Sequence, residues 1–120
     1  MKRHPENDPV RLQHMLEATE KAIQFSQGRT LADLDNDEMF ALAVVRLIEI
    51  IGEAATHVSE PTRQAYPAVV WQDISDMRNR VIHGYYDIDH QIVWDTLSRN
   101  LPLLRDQLVT IIQAINKRQT

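Results

Sequence analysis

The segment DEMFALAVVRLIEIIGEAATHV, residues 37 to 58, constrains the fold more than any other part of the chain. Its apolar side chains fall nearly all round a helical wheel, so a helix made from it has to be packed on more than one side. Such a helix belongs at the centre of a bundle or at an interface between copies. The flanking sequence is punctuated to match. DPVRLQHMLEATEKAIQFSQG, residues 8 to 28, reads as an amphipathic helix with Asp8 as N-cap, Pro9 in the first position and Gly28 as the stop. Its apolar positions are Leu12, Met15, Leu16, Ala22, Ile23 and Phe25. RTLADLDND reads as a loop with at most one short turn. Glu60-Pro61 opens a short helix that Pro67 closes, and a third major helix covers about 70 to 83, with Trp71, Ile74, Met77, Val81 and Ile82 inward and Gly84 at its end. Asp87 or Asp89 caps the last helix, about 89 to 117, where Pro102 should kink or break the element. With only three glycines, no Asn-Gly pair and no sustained alternation, nothing announces a sheet. The predicted fold is all-α: an up-and-down bundle of four main helices plus a short one, in a single domain over 1–120.

At 120 residues and 43% hydrophobic content the chain suits one core that buries roughly two-thirds of the unfolded surface. The absence of cysteine removes disulfide and thiolate chemistry. MKRHPENDPV lacks the apolar core of a signal peptide and no run approaches the ~20 residues of a membrane span, so a cytoplasmic protein without membrane contact is expected. A net charge of −4 argues against non-specific coating of nucleic acid, and any nucleic-acid site has to be a focused one. Of the five histidines only His57 has a ligand-like companion, Glu53, four residues away on one helix face. Two ligands do not make a metal site, and neither HExxH, a phosphate-binding glycine loop nor a serine elbow is present. No metal and no cofactor are expected.

The stretch MRNRVIHGYYDID, residues 77 to 89, sets Arg78, Asn79, His83 and Tyr85 where the helical pattern gives way to turn residues. On an ideal helix Arg78 and His83 stand about 140° apart, whereas Asn79 and His83 share a face. A helix that ends at Gly84 would let the His83 backbone leave regular geometry and a long Arg78 bend across to it. Imidazole both takes and gives a proton near neutrality, and guanidinium offers a charged fork matched to phosphate oxygens. Spacing alone leaves two readings open. In one, Arg78 and His83 cleave RNA without a metal; in the other, basic residues in a last turn cap carbonyls and favour the helix dipole while Tyr85 and Tyr86 pack the connection.

RNRVIHGYYDID resembles the Arg-x4-His-x-Tyr pattern of HepT-like toxins in the HEPN superfamily. The resemblance extends through IGEAA at 51 to 55, YPAVVWQDISDMRNR at 66 to 80 and DIDHQIVWD at 87 to 95, over nearly the whole chain. One departure is AVVW, where family members commonly carry Pro before the Trp. The resemblance implies a metal-independent endoribonuclease toxin, a HEPN-like bundle that dimerises so that motifs from two chains line one cleft. Arg78 and His83 fall on the catalytic pair, Asn79 on its polar companion and Glu53 on a supporting polar position of the preceding long helix. Tyr85 falls on the tyrosine that the partner, a minimal nucleotidyltransferase antitoxin, adenylylates. The alternative is a non-catalytic helical module that docks a nucleotidyltransferase or binds nucleotide in the same cleft.

A homodimer or higher assembly is also expected from the helix around 40 to 51, whose apolar surface exceeds what one small bundle easily covers. Pairing two chains would bring Arg78 and Arg80 of both into one groove and make a local positive site on an acidic protein. Arg80 fits either RNA contact or a solvated helix face.

Overall fold

The computed structural model describes residues 3–83 and 87–118. Among these, eight α-helical segments follow one another: α1 Asp8–Ser26, α2 Leu31–Asn36, α3 Glu38–Thr56, α4 Glu60–Ala65, α5 Trp71–Ser75, α6 Met77–Val81, α7 His90–Asp95 and α8 Leu101–Arg118. A short 3-10 turn, Pro5–Asn7, leads into α1, and two-residue strands β1 Ile82–His83 and β2 Asp87–Ile88 pair after α6. The helical bundle is thus the observed architecture, with α3 packed against α1, α5 and α6.

Along α1 the residues Leu12, Met15, Ala18, Thr19 and Ala22 are buried at helical spacing, while Phe25 stays exposed. Gly28, at φ +72°, ends the element in the left-handed region that glycine adopts without a Cβ clash. Asp8, however, does not cap its own helix; Asn7 occupies that position. The buried Asp8 carboxylate instead accepts from Ser59 N (2.9 Å), Ser59 Oγ (2.6 Å) and the Thr62 hydroxyl, where α4 begins. A carboxylate shut off from water requires donors, and the start of α4 supplies more of them than the first turn of α1 does. Asp8→Ala should therefore cost about 3 kcal/mol, since it orphans the buried Ser59 donors as well as removing charge-assisted bonds. Urea denaturation checks this; an unchanged midpoint would mean that Ser59 finds other acceptors.

The expected loop after Gly28 contains the helix α2. The Asp33 carboxylate accepts the Thr30 backbone N–H at 2.8 Å, and Leu34 is buried beneath. Its companion Asp35 accepts from His90 Nδ1 at 2.5 Å, tying α2 to the start of α7. Asp37 caps α3 by accepting the Phe40 N–H at 3.1 Å. The Arg29 hydrogen bond to Asp37, 2.9 Å, together with that backbone donor, holds the carboxyl below its ordinary pKa. At the far end of α3, Arg63 caps carbonyls of Ala55 (2.7 Å) and Val58 (3.2 Å), and partial burial lowers its pKa from the usual arginine value.

The surplus apolar surface expected on α3 is largely covered within one chain. Phe40, Ala41, Val44, Val45, Leu47, Ile48 and Ile51 are all buried, and only Met39 (82% exposed) and Leu42 (54%) stand out from the first two turns. Three separate neighbours, α1, α5 and α6, account for the all-round pattern.

The helix expected over 70 to 83 is two short helices joined at Asp76. The Asp76 carbonyl accepts Asn79 N–H in a tight turn, and Asp76 itself accepts from Gln72 Nε2. The second helix stops at Val81, before Gly84: Ile82 is extended (φ −117°, ψ 118°), and the Val81 carbonyl takes the Asp89 N–H at 2.8 Å from the returning strand. Gly84, the expected stop, lies outside the described residues. Ile82 pairs with Ile88 and His83 with Asp87, antiparallel. Asp89, of the two candidates, caps α7 by accepting Ile92 N–H. Between α7 and α8 the chain widens into a π-helical turn, Thr96–Asn100, immediately before Pro102. A wider turn accommodates the missing amide hydrogen and the ring's clash with the carbonyl four residues back, and the helix continues as α8 from Leu101.

Candidate active site

Helix α6 has only five residues, and its three polar ones, Arg78, Asn79 and Arg80, are all exposed. Met77 and Val81 face inward, four apart, and fix the rotation of this turn against the core. Arg78 then lies towards α3, with Nε 3.5 Å from Glu49 Oε2. Arg46 Nη1 is 3.9 Å from the same oxygen, so one carboxylate stands between two guanidinium groups from different helices. This contact depends on how closely α3 meets the joint of α5 and α6. A Cβ on Gly52 would lie 3.0 Å from the Ile74 carbonyl oxygen and 3.4 Å from that of Ser75.

Glu53, expected to support Arg78, does not reach it. It is 76% exposed and pairs with His57 at 3.2 Å, one turn further along α3. Glu49, which sequence reasoning missed, occupies that place. The only available signal was its helical spacing from Glu53, and choosing between the two carboxylates requires the crossing point at Gly52.

His83 is exposed in β1, opposite Asp87, and bonds to no described residue. Because the backbone becomes extended at Ile82, the 140° helical separation between Arg78 and His83 no longer applies. Asn79 is exposed on the same short helix. Arg80 faces a different way. Two residues from Arg78, and so about 200° round the helix, its Nη2 donates to the Asp73 carbonyl at 2.9 Å. It lines a 290 Å³ groove with Ile74, Met77, Thr96 and Asn100. Within one chain Arg78 and Arg80 therefore face different sides of α6. Tyr85 lies outside the described residues.

Chemically, the α6–β1 end offers an imidazole with no side-chain partner among the described residues and a half-exposed guanidinium whose Nε faces a carboxylate. Among the described residues, no group of three His, Asp or Glu side chains is arranged to hold a metal. No described helix is long and apolar enough to cross a membrane.

The model of a family described as "Ribonuclease HepT-like" matches residues 15–111. The chain is 33% identical over 102 residues to "Putative RNase TTE0752" of Caldanaerobacter subterraneus subsp. tengcongensis, covering 85% of this chain and 91% of that protein. It is 30% identical over 94 residues to "Probable ribonuclease HepT" of Thermococcus cleftensis, covering 78% and 86%. With "Putative RNase MJ1380" of Methanocaldococcus jannaschii it shares 30% identity over 97 residues, 81% of this chain and 89% of the relative. No solved structure matches the chain.

Proposed function

From the premise that this chain belongs to the HepT-like ribonuclease family, we propose that it is a metal-independent endoribonuclease toxin, in which Arg78 and His83 perform the cleavage and Asn79 assists. The observation that carries the reading is the exposed imidazole of His83, without a side-chain partner among the described residues and two residues beyond the helix that presents Arg78. A neutral His83 takes the proton of a ribose 2'-hydroxyl. The 2'-oxygen bonds to the adjacent phosphorus as the bond to the 5'-oxygen breaks, and an imidazolium returns a proton to that leaving oxygen. Arg78 stabilises the charge that builds on the phosphoryl oxygens. Glu49 steadies the Arg78 stem through Nε, leaving the Nη donors for the phosphate. Two chains lining one cleft would supply a second imidazole, one as base and one as acid. The exposed Met39 and Leu42 on α3 are apolar side chains available for such a contact.

A minimal nucleotidyltransferase is the antitoxin in this reading, and Tyr85 is the residue it modifies. An AMP unit on that phenol, two residues from His83 in sequence, adds bulk and phosphate charge and so opposes entry of a polyanion. Expression without the partner is expected to arrest growth for wild type and not for His83→Ala. Co-expression with the cognate nucleotidyltransferase should restore growth and leave AMP on Tyr85, not Tyr66 or Tyr86, by intact mass and peptide mapping. If wild type alone is as harmless as His83→Ala, the toxin reading fails and a docking module takes its place. Restored growth with an unmodified chain would instead assign neutralisation to occlusion.

A further inference from the structure

A second cluster of basic side chains lies on the face shared by α1 and α3. Arg11 and His14, three apart on α1, meet Arg46, Ile50 and Glu53 of α3 and His57 just past its end around a pocket of 230 Å³. Two observations point to a ligand. The Arg11 Nε is closed off from solvent with no hydrogen-bond partner, although guanidinium donors removed from water normally find an acceptor. Arg46, 69% exposed, has only the long 3.9 Å pair to Glu49. The one carboxylate in the lining, Glu53, sits exposed at the rim and is engaged by His57 at 3.2 Å. The balance of charge therefore favours an anion: two permanent guanidinium charges and the His14 imidazole, against one carboxylate that already has His57 beside it.

We propose that this pocket binds a phosphate group of the RNA strand, as a subsite one helix away from the cleavage residues. The inference rests on the RNA-cleaving reading above. Its support is proximity: Arg46, which lines the pocket with Arg11, shares the Glu49 carboxylate with Arg78 of the α6 end. A tetrahedral dianion or diester phosphate suits paired guanidinium forks, and the apolar side chains of Ile50 and Ala54 in the lining bring no acceptor that would compete with it. Arg11 and His14 precede residues 15–111, the span that the family model matches.

The test uses the full chain in two measurements. Binding of a short single-stranded RNA is measured against salt in the non-cleaving His83→Ala background, with Arg11→Met, Arg46→Gln and the double variant compared. Since both arginines hold one phosphate, each single change should weaken binding by roughly tenfold, and the double variant should flatten the log–log salt slope by only about 0.7. Separately, inorganic phosphate added to wild type should shift the ring resonances of His14 and His57 saturably, and the double variant should abolish the shift. Arg46 is exposed, so Arg46→Gln tests the site even if Arg11→Met disturbs packing. Unchanged RNA affinity with loss of the phosphate response would overturn the RNA assignment and give the pocket to a free phosphate-bearing molecule. Neither effect would overturn the site altogether. Failure of any RNA to bind would remove the ribonuclease reading, while the histidine shifts would still decide the pocket.

Discussion

His83→Ala is expected to slow RNA cleavage by about 10² to 10⁴, the usual contribution of a positioned acid–base group. Its exposure makes the size of this effect informative. Replacing an imidazole that bonds to no described residue should leave the folded chain intact, so lost activity will not be lost structure. Arg78→Lys should also be strongly damaging, because a point charge cannot keep Nε on Glu49 while presenting a fork to the phosphate. Cleavage by wild type should persist in excess chelator and leave 2',3'-cyclic phosphate ends, read by end-labelling and mass spectrometry. Activity lost to chelator and restored by a divalent ion would remove the proposed mechanism, as would undiminished cleavage by His83→Ala.

The largest effect on the fold should come from Gly52→Val. The added Cβ meets backbone oxygens of Ile74 and Ser75, which cannot rotate aside as a side chain would, and the γ-carbons enlarge the conflict. Moving α5 and α6 outward would loosen Trp71, Ile74 and Met77 from the core and draw Arg78 away from Glu49. A loss of roughly 3 kcal/mol is expected, or about 10 °C in Tm for a chain of this length. Gly52→Ala should fall between wild type and Gly52→Val, since better helix propensity offsets part of a single tight contact. Thermal melts followed by circular dichroism check the order. A Gly52→Val protein as stable as wild type would mean that the α3 crossing is looser than the 3.0 Å contact indicates.

Much of this architecture was legible in the chain before any contact was known. Leu12, Met15 and Ala22 repeat at helical spacing, Gly28 stops the first helix, Pro61 opens α4, and the composition of residues 37 to 58 demands burial on several sides. Those features depend on the 3.6-residue period and on the φ preferences of individual residues, which neighbours in sequence express by themselves. Misreadings arose where distant groups compete. Asp8 has the form of a local cap, yet the start of α4 takes its carboxylate. The apolar pattern of α3 suggested more surface than one small bundle covers, yet α1, α5 and α6 cover Val45 and its neighbours and leave Met39 and Leu42 exposed.

The candidate site divides along the same line. The sequence by itself determined a mainly helical chain and set Arg78 and His83, five residues apart, where a helix gives way to a turn, because both are matters of residue type and spacing between near neighbours. Only the tertiary structure decided that the helix breaks at Asp76 and stops at Val81, that Glu49 rather than Glu53 meets Arg78, and that Arg80 turns to another groove. Each of these depends on the rotation of one helix against another. A shift of one residue turns a side chain by about 100°, and the close approach at Gly52, set by backbone atoms some twenty residues away in sequence, selects the rotation.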